Sequence, residues 1–221
     1  DRWQRHRSCR WTMREGDSKP LGEASVRVLS PTAGMRAAAQ WAHEHGKAFD
    51  LNQVSTALAV EWKGHRIVLG SDLVEEPGKG WSSAMTTTDA LDAHAALKVP
   101  HHGSPKALHR PLLVRPSSHP EPTWVIAPYA SRDLPGLGPR AGVDLLLEHL
   151  PAVLLTSLPR KHARQGEAPL DFAIGELRPD GRHLALDPTT GGFPDCFVVI
   201  ELEADGAARI HRGAGSARVR R

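Results

Sequence analysis

Cysteine is nearly missing from this chain: Cys9 and Cys196 stand alone, far apart, among 221 residues. Two isolated thiols exclude a disulfide framework and a cysteine-built zinc site, and they fit a reducing compartment. Cys196 precedes Phe197-Val198-Val199-Ile200 and reads as a small core-filling side chain. Long apolar runs are missing too. No stretch reaches the length of a membrane-spanning helix and no signal-peptide pattern opens the sequence, so a cytoplasmic protein without a membrane segment is expected. A large excess of one charge is also lacking, since 28 Lys and Arg face 25 Asp and Glu. With 40% apolar and 24% charged residues, the chain has the balance of a folded globular domain rather than a disordered one.

The basic residues are nonetheless unevenly placed. Arg2, Arg5, Arg7, Arg10 and Arg14 crowd one end, and Arg209, Arg212, Arg218, Arg220 and Arg221 the other. Such clusters can attract a polyanion, so nucleic acid is a candidate partner. No aromatic interleaves with the C-terminal cluster, which argues against a base-stacking platform there. Residues 1–20 are expected to be a basic N-terminal segment. Residues 213–221 are expected to be a basic flexible tail, because Gly213-Ala214-Gly215-Ser216-Ala217 would not hold arginines in a fixed geometry.

Between these ends, strands and helices alternate, the mark of an α/β domain over 21–160. Ala24 to Leu29 alternates and stops at Ser30-Pro31, a strand. An alanine-rich helix is predicted from Ala33 to His45. Thr56 to Trp62 and Ile67 to Leu69 flank a tight turn at Lys63-Gly64-His65-Arg66. A polar helix is expected near Ser82 to His94, then a buried strand at Ala95 to Val99. Ser104 and Pro105 are placed to cap and open a further helix, with His109 on its exposed face. Trp124 to Ala127 and Ala152 to Thr156 are strands around a helix at Val143 to Leu150. Beyond Pro159, Asp180-Gly181 and Asp205-Gly206 each punctuate two apolar runs, so residues 161–212 read as two hairpins extending the sheet.

Chemistry concentrates at two strand ends. Gly70-Ser71-Asp72 follows one apolar run, and Pro100-His101-His102-Gly103-Ser104 follows another. Open α/β sheets place ligands at such ends. A dinuclear hydrolytic site needs a carboxylate able to reach two cations roughly 3.5–4 Å apart, and imidazoles beside it. Alone, Asp72 would be an ordinary turn former, and the paired histidines a polar turn. Ser104 stands where a helix cap stands, which disfavours a nucleophilic role.

Asn52-x-x-Ser55 before the hairpin, Gly-Ser-Asp after it, and Leu97-Lys98-Val99-Pro100-His101-His102-Gly103-Ser104 together resemble the second half of a metallo-β-lactamase-fold hydrolase. The nearest branch is the hydrolase domain of bacterial competence-type DNA-uptake proteins, over roughly positions 24 to 157. The resemblance implies the C-terminal half of an αββα sandwich with a C-terminal antiparallel β extension. It implies Asp72 as the ligand bridging two zinc ions and His101 as a terminal ligand, with His102 as the alternative. Asn52, Ser55 and Ser104 would then bond backbone around the site.

The chain departs from that family in two places. It contains no H-x-H-x-D-H, the signature that supplies most metal ligands. Its one H-x-H, His43-Glu44-His45, ends the alanine-rich helix, where side chains two apart face different ways. Gly138-Pro139 replaces a His-Pro that related sequences often carry. The opening Asp1-Arg2-Trp3-Gln4 is no natural domain start, so the expectation is either a missing N-terminal half with the other ligands, or a shortened protein without catalysis. The first gives a zinc-dependent hydrolase, which by the resemblance acts on phosphodiesters. The second gives a non-catalytic interaction or scaffold module.

Overall fold

The computed structural model describes residues 13–86, 94–114, 122–129, 134–136, 142–157, 198–205, 207–212 and 216–220. Its frame is a mixed eight-stranded sheet in the order β1-β2-β3-β4-β6-β7-β8-β11, with a separate two-stranded sheet of β9 and β10. β1 (Ser18–Leu21), β2 (Ala24–Val28), β3 (Leu58–Trp62) and β4 (His65–Leu69) form an antiparallel meander. From β4 the sheet continues in parallel through β6 (His94–Lys98), β7 (Thr123–Ile126) and β8 (Ala152–Leu155). The short β5 (Glu75–Glu76) lies outside that sheet. The α/β class expected from the alternation is therefore present.

Parallel strands need crossovers, and the intervening segments supply apolar cover for one sheet face. Ala59, Val68, Leu97 and Trp124 lie in register across four strands, all buried. Met35 from α1 (Ala33–Glu44), Trp81 from α2 (Gly80–Ala84) and Leu146 from α3 (Gly142–His149) join them in one core cluster. Each buried indole finds an acceptor: Trp81 donates to Leu73 O at 3.0 Å and Trp124 to Leu112 O at 3.2 Å. That satisfies the one polar atom each large ring carries. Helix α1 matches its expected span. Thr32 Oγ1 accepts from Met35 N at 3.2 Å, and Gly46, at φ 59°, turns the chain out at the other end.

Four expectations need correction. The basic N-terminal segment does not run to residue 20, because Ser18–Leu21 pairs with β2 as an edge strand. The tail at 213–221 is not wholly flexible: β11 (Ala217–Arg220) pairs antiparallel with β8 and occupies that sheet edge. Alternation at 217–220 suits a strand once β8 offers unpaired backbone, which outweighs the small residues before it. The hairpin of β9 (Val198–Leu202) and β10 (Ala208–Arg212) is real but forms its own sheet instead of extending the main one. Finally, Ser104 opens no α-helix over the described residues 105–114. The chain makes 3-10 turns at Pro105–Ala107 and Arg110–Leu113, and the Ser104 side chain caps neither. Pro111 has no N–H to give an α-helical ladder.

Helix α2 covers only the start of the stretch expected to be helical, and His94, its expected end, is the first residue of β6. Residues 87–93, the hairpin about Asp180-Gly181, Gly138-Pro139, Cys9, Cys196 and Arg2 to Arg10 lie outside the described residues. Among the arginines that are described, Arg209 pairs with Glu203 at 2.8 Å, and beside it His211 pairs with Glu201 at 2.9 Å. Among the described residues no helix is long and apolar enough to cross a membrane.

Candidate metal centre

Three adjacent parallel strands deliver the candidate groups. β4 ends at Leu69 and runs into Gly70-Ser71-Asp72; β6 ends at Lys98 and runs into Val99-Pro100-His101-His102; β7 ends at Ile126 and runs into Ala127-Pro128-Tyr129. The first two are laced together. Gly70 N donates to Lys98 O at 3.1 Å, and His101 N donates to Ser71 O at 2.8 Å. Gly70 permits this approach because a Cβ there would come within 2.7 Å of Lys98 O and 2.9 Å of Pro100 Cβ.

The approach is bought with backbone strain. Ser71 (φ 48°), His101 (φ 46°) and His102 (φ 54°) are all left-handed, and only Lys63 joins them among described residues other than glycine. Such a conformation costs about 1–3 kcal/mol per residue and persists where the surroundings overdetermine it, commonly at functional sites. Gly103, at φ 72°, continues the left-handed run.

That run decides which histidine meets the carboxylate. His102 Nε2 lies 3.3 Å from Asp72 Oδ1. Its Nδ1 lies 2.7 Å from Ala127 O, so Nδ1–H donates to that carbonyl and Nε2 is turned toward Asp72. Tyr129 stacks on the ring at 4.9 Å and 21° and fixes its plane. The His101 ring stands 6.3 Å from that of His102, tilted by 59°. His102, carried on two consecutive left-handed residues, thus reaches across to Asp72 at the β4 end.

The surrounding expectations divide. At Asn52 and Ser55 it is the backbone carbonyls that take hydrogen bonds: Val74 N donates to Asn52 O at 3.4 Å and Ser30 Oγ to Ser55 O at 2.9 Å. Ser104 is buried, and its N–H donates to His101 O at 2.9 Å, closing the left-handed turn. His109 is not on an exposed face. Its side chain is 13% exposed and its Nδ1 lies 3.2 Å from Glu75 Oε2.

Sequence reasoning missed Tyr129, the Ala127 carbonyl and Lys98. Tyr129 is the only tyrosine and follows a strand by three residues, while Lys98 is the one charge in an otherwise apolar strand end. Lys98 Nζ donates to Ser71 O at 3.4 Å. Burial holds its ammonium below the ordinary lysine range, with the Asp72 carboxylate pulling the other way.

The donor set suits a divalent cation as far as it goes. Two donors each about 2.0–2.1 Å from a tetrahedral zinc lie roughly 3.3 Å apart, the separation of His102 Nε2 and Asp72 Oδ1. Among the described residues, however, no group of three His, Cys, Asp or Glu could hold a metal. No family model, no curated protein and no solved structure matches the chain.

Proposed function

We propose that Asp72 and His102 are this chain's share of a divalent metal site in a hydrolase resembling the metallo-β-lactamase fold. The observation that carries the reading is the 3.3 Å approach of His102 Nε2 to Asp72 Oδ1, with Nδ1 committed to Ala127 O. A carboxylate facing an imidazole nitrogen lone pair needs a cation between them, either a proton or a metal. Strain concentrated at Ser71, His101 and His102 supports a site whose geometry is held for a purpose other than stability. The antiparallel meander entering a parallel set at β4 is compatible with the second half of such a sandwich.

The chain's own groups have separate tasks. Asp72 supplies negative charge to a cation; His102 supplies a neutral nitrogen, held in the right tautomer by Ala127 and in plane by Tyr129. A divalent cation held there by Asp72 and His102 would supply Lewis-acid activation of water for ester hydrolysis near neutrality. Zinc needs three protein ligands in catalytic sites and four in structural ones. The remaining ligands therefore come from outside the described residues.

The test is metal content. The chain is equilibrated with zinc or manganese, freed of excess and assayed by elemental analysis, alongside Asp72→Ala. Uptake that Asp72→Ala abolishes is expected. A small uptake indifferent to Asp72→Ala would sink the metal reading and leave a non-catalytic interaction module on the same fold.

A further inference from the structure

Tyr129 is the chain's one tyrosine, and core packing does not explain where it stands, because it is 44% exposed. Its backbone is nonetheless fixed. Tyr129 N donates to Leu134 O at 2.7 Å, and Leu134 N donates back to Tyr129 O at 3.2 Å. Pro128, just before it, holds φ near about −65°. One residue further upstream, Ala127 supplies the carbonyl that takes His102 Nδ1. A single short segment after β7 therefore holds the His102 imidazole twice, at its edge through Ala127 O and on its face through the Tyr129 ring.

The two contacts act on different properties of the ring. The carbonyl fixes the tautomer and leaves Nε2 facing Asp72 Oδ1. The stack acts on charge. With centroids 4.9 Å apart and planes 21° from parallel, the electron-rich face of the phenol lies against the imidazole. A cation taken up at Nε2 is shared by the whole imidazole, which then meets the phenol as a planar cation, within the roughly 6 Å over which a π face attracts one. A neutral imidazole gains far less from that attraction. The stack is therefore stronger once the cation is bound, and by reciprocity the cation is bound more tightly because of the stack.

We propose that Tyr129 is a positioning residue that raises the affinity of the Asp72–His102 pair for a divalent cation through its π face. The inference rests on the metal reading of that pair given above. Tyr129 gives no ligand atom; its effect passes through the His102 ring. The hydroxyl has no part in it, so phenylalanine serves at this position, and tryptophan, with the best cation-binding face, serves at least as well.

The probe is zinc alone, titrated into the whole chain against a competing chelator, for wild type, Asp72→Ala, Tyr129→Phe, Tyr129→Trp and Tyr129→Leu. At a site this exposed, loss of the π face predicts about two- to fivefold weaker zinc binding in Tyr129→Leu. Tyr129→Phe should stay close to wild type, and Tyr129→Trp should bind at least as tightly as Tyr129→Phe. Nitrogen NMR of the metal-free proteins separates charge from shape: the His102 Nδ1–H tautomer, set by Ala127 O, should persist in every Tyr129 variant. Unchanged zinc affinity in Tyr129→Leu overturns the proposal, and uptake that still depends on Asp72 then leaves the metal reading standing. Loss of the Nδ1–H tautomer together with affinity overturns it as well, because Tyr129 would then be holding the turn and not the charge. Uptake indifferent to Asp72→Ala defeats the metal reading itself, and this inference with it. Should Tyr129→Leu fail to fold, the two aromatic variants carry the test, and weaker zinc binding by Tyr129→Trp than by Tyr129→Phe overturns the proposal.

Discussion

Gly142, at the start of α3, rests against the carbonyl of Gly103: a Cβ on Gly142 would lie 2.0 Å from Gly103 O. The helix that covers β8 is thus seated directly on the turn that carries His101 and His102. Gly142→Ala must push the two apart, and overpacking of this kind costs about 1–3 kcal/mol. Chemical denaturation should show the loss, and metal uptake should fall with it, because the displaced element is the histidine turn. An alanine variant as stable as wild type would refute the contact.

The choice between the two histidines is open to a direct comparison. His102→Ala removes the ring that faces Asp72 and should reduce zinc uptake as strongly as Asp72→Ala does. His101→Ala should leave most of it. Elemental analysis of the three variants decides, and the reverse ranking would show that the left-handed turn rearranges when metal binds.

Lys98 makes a pH prediction with a definite sign. Its folded pKa lies below the ordinary value, because burial outweighs the pull of Asp72. Between the folded value and the unfolded one near about 10.4 the unfolded chain binds more protons, so stability rises with pH there. The cost of the buried charge is fully present below that window and is relieved across it. Lys98→Met should lack this rise, which urea midpoints at about pH 8 and about pH 10 would detect. Parallel curves for the two proteins would show that the ammonium is not desolvated.

Glu75 is a second polar junction, away from the candidate ligands. It accepts from Ser82 N at 2.9 Å and from Ser82 Oγ, and it pairs with His109 Nδ1 at 3.2 Å. One carboxylate therefore ties α2 to the segment of 3-10 turns. Glu75→Ala leaves a largely buried histidine nitrogen and a helix-start N–H without their acceptor, at about 2–3 kcal/mol. Amide exchange should quicken in residues 105–113 more than in the sheet; uniform quickening would place the effect elsewhere.

Much of this architecture was legible because buried strands announce themselves. Ile67-Val68-Leu69, Ala95 to Val99, Trp124 to Ala127 and Ala152 to Thr156 are short apolar runs with turn residues beyond them, and all became parallel neighbours. The two edge strands were not legible. Ser18–Leu21 contains Pro20 and is exposed throughout, while Ala217–Arg220 is as basic as a tail. Edges bury little, so their residues carry little pattern.

The site was half legible for a related reason. Placement at strand ends follows from the apolar runs, and that brought Asp72 together with the His-His turn. Which ring points where depends on φ at Ser71, His101 and His102, and side-chain type does not foretell a left-handed histidine. His109 was misplaced because Ser104-Pro105 looks like a helix start. The turns that follow instead bend the chain back until His109 meets Glu75.

β11 also bears on the order in which the sheet assembles. Ala217 pairs with Leu155, so this ladder closes only after the whole chain between residues 156 and 216 has been looped back, whereas β6 and β7 meet across a far shorter stretch. Longer closure costs more entropy and tends to come later. Until it happens, Ala152-Val153-Leu154-Leu155 is a bare, wholly apolar edge. Any nascent or partly unfolded chain shows that edge to its neighbours, which makes the arginine-bearing β11 a guard against self-association as well as a structural element.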